Sequence, residues 1–176
     1  MVLRVVGPVA DDFGATQRAL LSALPAEVSH PHTPHVTLRG FAEPEGREEV
    51  EDFLREWATA QHLISLTSEA LDTFPSPWQI VIVRLARTES LVSAYSSLSA
   101  ALAPTSFTRV GELSPEEWIF HLSVVYGGRL DPRAWTEAER IAHERRHPVA
   151  TEIATQAEFV WYADGAEHRE LIPLGR

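Results

Sequence analysis

The chain has 176 residues, 44% hydrophobic and 23% charged, with no cysteine and a formal charge of −10. Disulfides, thiolate metal sites and cysteine nucleophiles are therefore excluded, and so acidic a chain is not expected to bind a long phosphate backbone avidly without sequence preference. All fifteen basic residues are arginines, which also removes any lysine nucleophile or Walker-type phosphate loop.

Val2 to Val6 predicts a short strand, and Asp11 to Leu24 carries apolar residues at helical spacing up to Pro25. A loop with three prolines runs over 25–34, and residues 35–41 (HVTLRGF) alternate as a strand does. Residues 45–60 predict an acidic amphipathic helix, 62–73 a strand, and Pro75 and Pro77 a turn. The order then recurs: a strand over 78–86, a helix over 89–102, a loop over 103–117 and a strand over 119–126. A charged helix over 131–147, a long strand over 149–162, a hairpin turn over 163–167 and a last strand over 168–174 complete the chain. The repeated order points to an internal duplication, with halves at about 1–76 and 77–176 packed as two lobes of one domain, residues 1–176. No stretch reaches the roughly 20 apolar residues that cross a bilayer, and the N-terminal apolar run is too short for a signal peptide. The expectation is a soluble, cytoplasmic monomer.

The chemistry-bearing residues sit at matched places in the two halves. One strand reads His35-Val-Thr37-Leu-Arg39 and the other His121-Leu-Ser123-Val-Val125. Residues two apart on a strand share a face, so each strand presents an imidazole and a hydroxyl about 7 Å apart, with aliphatic residues behind. Arg39 is expected on the same row as His35 and Thr37. If the lobes face each other, the two pairs meet in one cleft. In-line displacement at phosphorus needs a base for the attacking oxygen and an acid for the leaving oxygen, and two histidines supply both near neutral pH. The hydroxyls and Arg39 would hold the non-bridging oxygens.

Paired His-x-(Thr/Ser)-apolar motifs on strands in two halves of a chain this long resemble the two-histidine (2H) phosphoesterase superfamily. The bacterial 2′-5′ RNA ligase and RNA 2′,3′-cyclic phosphodiesterase proteins are its most similar members. The resemblance covers essentially the whole chain. It implies a bilobed α+β fold in which two antiparallel sheets face a central cleft with helices outside, and no required cofactor or metal. It makes His35 and His121 the catalytic pair and Thr37 and Ser123 the phosphate-holding hydroxyls. The implied reaction is hydrolysis of a 2′,3′-cyclic phosphate on an RNA end or small nucleotide, with cleavage or formation of 2′-5′ linkages accessible to the same pair.

Other features are weighed against this reading. His30 and His32 have no counterpart in the second half and belong to the approach loop. His143-Glu-Arg-Arg-His147 matches the zinc-peptidase pattern His-Glu-x-x-His, but Pro148 follows at once and two arginines occupy the middle. A zinc peptidase using His143 and His147 is thus one competing reading. A non-catalytic nucleotide- or RNA-binding module of the same fold is the other. Tyr126, just past the second motif, is a candidate substrate contact, while Arg84 and Arg109 are candidate cleft cations whose placement the sequence leaves open.

Overall fold

A computed structural model describes residues 1–24, 28–30, 33–43, 45–145 and 147–175. Among these the elements run β1 (Val2–Arg4), α1 (Pro8–Ala23), β2 (His35–Thr37), β3 (Gly40–Phe41), α2 (Arg47–Thr59), β4 (Ile64–Phe74) and β5 (Ile80–Leu85). They continue with α3 (Glu89–Leu102), β6 (Arg109–Val110), β7 (His121–Tyr126), α4 (Pro132–Glu144), β8 (Thr151–Ala154), β9 (Gln156–Ala163) and β10 (Ala166–Pro173). A first sheet has the order β10-β9-β1-β2, a second β7-β5-β4-β8, and β3 pairs with β6 in a small ribbon. The paired strands are antiparallel. This is the expected α+β class with two antiparallel sheets.

Each helix lays one stripe on a sheet. α2 buries Val50, Leu54, Trp57 and Ala58, and its Arg55 reaches Glu170 of β10 at 3.0 Å. α4 buries Trp135, Ala138 and Ala142. It starts where Asp131 accepts the Arg133 and Ala134 amides, with Pro132 in the first turn, where its missing N–H costs nothing. The Thr88 hydroxyl caps α3 in the same way, accepting from Leu91.

The sequence halves do not become the two lobes. β1 and β2 of the first half are completed by β9 and β10 from the end of the chain, whereas β4 of the first half joins β5, β7 and β8. The two halves therefore exchange strands, β4 passing to the second sheet and β9 with β10 to the first. The strand expected over 149–162 is two strands in two sheets: β8 pairs with β4, and one residue later β9 pairs with β1 and β10. A sequence pattern shows alternation but not a change of partner, so this crossing is invisible in it.

α1 begins three residues earlier than its apolar pattern implies. Pro8 provides a preset first turn, and the orphan amides of Val6, Gly7 and Val9 all donate to the Glu152 carboxylate, at 2.9 to 3.0 Å. A carboxylate 143 residues from Val9 thus caps the helix and meets the positive end of its dipole. Replacing Glu152 by Ala should lower unfolding free energy by about 1–2 kcal/mol in denaturant titration, as loss of a cap does. An unchanged midpoint would remove Glu152 from the cap.

Candidate active site

The histidine strands β2 and β7 are edge strands of their respective sheets, and they run beside one another. Ser29, ahead of β2, closes the gap with a two-bond bridge to Tyr126 at the end of β7 (3.0 and 2.8 Å). Gln17 of α1 donates to Val124 O at 2.9 Å, so β7 is further anchored at its open edge. Val36, Leu38, Leu122 and Val124 are buried, whereas His35, Thr37, His121 and Ser123 are half-buried. The alternation predicted for the two motifs thus holds, and the two motif strands lie beside one another.

The registers repeat row for row. His35 lies opposite Arg4 and Thr37 opposite Val2, while His121 lies opposite Arg84 and Ser123 opposite Ile82. Directly opposed residues share a face, so each histidine stands beside an arginine and each hydroxyl beside an aliphatic side chain. The arginines differ in surroundings. Arg4 is buried, with Nε on Glu158 at 2.8 Å and Nη1 on the Thr33 carbonyl at 3.2 Å. Arg84 is 43% exposed, held by Glu69 at Nε and Asp72 at Nη1, each at 3.1 Å. The signal for both was present in the chain, since Val2-Leu-Arg4 aligns with Ile82-Val-Arg84 one strand before each motif. Arg4 was missed because a lone arginine in a five-residue apolar run carries no motif.

Both imidazoles are oriented alike. His35 Nδ1 meets Thr33 O and His121 Nδ1 meets Ile119 O, each at 2.8 Å. A carbonyl only accepts, so Nδ1 is the donor in each ring. The Phe74 ring stands perpendicular to His121 with centroids 4.8 Å apart. Burial pushes the His121 pKa below the usual 6.5, against a smaller opposing effect of the Ile119 carbonyl.

Arg39 does not stand on the His35–Thr37 row. The amides of Leu38 and Arg39 both donate to Met1 O, at 3.0 and 3.2 Å, and two residues against one break the period of two. Its guanidinium, 2% exposed, lies over the Tyr95 ring at 4.7 Å, with Ser99 at 2.5 Å and Glu112 at 3.3 Å. Arg109 is also held away, by Glu112 at 2.8 Å and Leu102 O at 3.0 Å. Tyr126 ends β7 as expected, beside the Ser29 bridge.

The zinc-peptidase reading fails on helix length. α4 ends at Glu144, because Arg145 is extended and His147 precedes Pro148, a position that disfavours helix. His143 sits 3.7 Å from Asp72, while His147 Nε2 lies 2.7 Å from Asp12 on α1. The two imidazoles address different acids. Among the described residues no group of three or more His, Asp or Glu is placed to hold a metal ion. His30 is exposed in the approach loop; His32 and Arg146 lie outside the described residues.

With this geometry in place, the chain's relatives can be read. The model of the 2′-5′ RNA ligase superfamily matches residues 6–166, so the chain belongs to that superfamily of two-histidine phosphoesterases. No curated protein matches the chain.

The His147–Asp12 pair is structural. Their side chains are 2% and 8% exposed, and burial pushes the imidazole pKa down and the carboxyl pKa up. Removing one member leaves the other buried without its partner. His147→Ala should therefore cost about 3 kcal/mol in unfolding free energy while leaving kcat of the folded enzyme unchanged. Loss of turnover at full folding would return His147 to the chemistry.

Proposed function

We propose that this member of the 2′-5′ RNA ligase superfamily hydrolyses ribose 2′,3′-cyclic phosphates, on short RNA ends or small nucleotides, to monophosphates. The observation that supports the reading is the repeated pair of imidazole and hydroxyl on two adjoining edge strands, each histidine opposed by an arginine of the next strand inward. It offers two proton-transfer groups and two hydroxyl donors, which is what displacement at phosphorus requires. The net charge of −10 favours short substrates over a long polyanion.

His121, held neutral at pH 7 by its lowered pKa, takes the proton of the attacking water through Nε2. The water oxygen bonds to phosphorus as the bond to one ribose oxygen breaks. His35 enters as imidazolium and gives its Nε2 proton to that leaving oxygen. Thr37 and Ser123 donate to the non-bridging oxygens, where charge grows in the transition state. Arg84 is the arginine of the site with exposed surface and faces the same phosphate. Tyr126 contacts the rest of the substrate. With a 5′-hydroxyl in place of water, the same groups open the cyclic phosphate to a 2′-5′ linkage as the 3′-oxygen leaves with the proton of His35. By microscopic reversibility that linkage is cleaved by the reverse step.

Turnover of a nucleoside 2′,3′-cyclic phosphate should persist in EDTA and fall about 10²- to 10⁴-fold in kcat for His35→Ala or His121→Ala. Activity that survives both substitutions, or that vanishes in EDTA, overturns the mechanism. If neither substitution weakens nucleotide binding and the parent shows no turnover, the chain is a binding module instead. Arg84→Ala should lower kcat/KM about 10- to 100-fold, the worth of a hydrogen bond to a charged group.

The pH profile tests which histidine is the base. A base with a lowered pKa stays active as pH falls past 6.5 and is lost only below that value. The acid limb of kcat/KM should therefore lie below pH 6.5, and Phe74→Asn, which hydrates the ring, should move it upward. An acid limb above 6.5 would hand the base role to His35.

A further inference from the structure

We propose that the hollow beneath the β9–β10 hairpin seats the nucleobase of the substrate, with the Tyr162 ring as its stacking wall. This rests on the reading of a ribose-linked phosphodiester given above and names where the rest of that substrate lies.

The hollow has a volume of about 680 Å³ and opens directly on the catalytic row, its lining including His35, Thr37, Phe41, Trp161, Tyr162 and Glu167. That size falls within the range of small-molecule sites. Its roof comes from an unusual curl. The register of β1 on β9 aligns Val2 with Glu158, which puts the Arg4 row level with Gln156 and Pro173. Glu167 lies six residues further along β10, about 20 Å away in a flat sheet. Yet Arg4 Nη2 meets Glu167 Oε1 at 3.4 Å. The hairpin tip therefore folds back over the cleft face.

Tyr162 rides on that tip. It shares the face of Glu158, Val2 and Thr37, because residues two apart along β9 alternate to the same side. It is 64% exposed, an unusual state for a large aromatic in a strand. Its hydroxyl donates to Glu167 Oε2 at 2.9 Å, while the other oxygen of that carboxylate meets Arg4, the cross-strand neighbour of His35. The ring is thus pinned at its polar end and tied to the catalytic row. Burial of the hydroxyl and the Glu167 carboxylate push its pKa up, with Arg4 opposing them more weakly.

Of the other aromatics of the lining, Phe159 is buried and Phe41 packs against the core, while the Trp161 ring is already in use. The Arg47 guanidinium lies over it at 4.8 Å, and the His168 and Phe159 rings lie 5.5 and 5.8 Å from it. Tyr162 carries no such ring partner among the described residues. A base stacked on an anchored tyrosine would be held without selecting its identity, since every base offers a π-face.

The experiment compares a nucleoside 2′,3′-cyclic phosphate with methyl riboside 2′,3′-cyclic phosphate, which keeps the ribose and lacks the base. Tyr162→Ala should raise KM for the nucleoside substrate roughly tenfold or more, with kcat nearly unchanged and KM for the riboside unchanged. Tyr162→Phe should keep most of the parent's preference, because the ring does the stacking. Equal KM changes on both substrates, or none on either, overturn the subsite. If the parent turns over neither compound, the phosphodiesterase reading fails. Calorimetric titration with a nucleoside 3′-monophosphate and with ribose 3-phosphate then decides the subsite separately. A parent that binds the nucleotide no tighter than the sugar phosphate, or a Tyr162→Ala protein that binds both as the parent does, sinks it.

Discussion

The antiparallel pairing of each histidine strand with the strand one helix before it is the constraint on which the site depends. It occurs twice, β1 with β2 and β5 with β7, and each time it leaves the histidine strand at a sheet edge. An edge strand has one ladder face unfilled, and here those two edges adjoin, with Ser29 and Tyr126 exchanging the bonds that would otherwise be missing. Imidazoles, hydroxyls and arginines line up as rows because opposed residues on a ladder must share a face.

What keeps the two rows in register is the interleaving of the halves. Each sheet is finished by a strand from the other half, and the chain passes from the second sheet to the first within residues 154–156. Glu152 sits just before that crossing and caps α1, and His147 beside it grips Asp12 on the same helix. α1 in turn holds β7 through Gln17. The segment that switches sheets is therefore bound to the helix that anchors one catalytic strand. A displacement of one sheet against the other would break buried polar contacts as well as apolar packing, which makes the arrangement of the two motif strands stiff.

Charge is distributed by the same logic. With arginine as the sole cationic side chain and acids in excess, cations placed near the cleft have carboxylate partners: Glu158 and Glu167 for Arg4, Glu69 and Asp72 for Arg84, Glu112 for Arg39 and Arg109. Depth then separates their roles. Arg39 is sealed over Tyr95 and braces α3, Arg4 ties the hairpin tip to the histidine row, and Arg84 stays partly exposed between Glu69 and Asp72.

The sequence by itself determined the two motifs, their strands, the hydroxyl-and-histidine spacing and the repeated order of elements, because period-two alternation is a local property, and the two-sheet α+β class followed from the family resemblance that those motifs carry. It misplaced Arg39, since a bulge that sets two amides on Met1 O depends on where β1 begins and not on the residues of the motif. It extended α4 through His147 because the pattern stays amphipathic past Glu144, although Pro148 already signalled the end. It could not place Arg84 or see Arg4 and Tyr162, whose meaning lies in partners 37, 31 and 5 residues away. Only the tertiary structure decided that the halves exchange strands, that the long strand serves two sheets and that the β9–β10 hairpin curls over the hollow beside His35. Pairing partners and curl are long-range choices, made by which faces bury together, and a chain pattern records which face is apolar without recording what covers it.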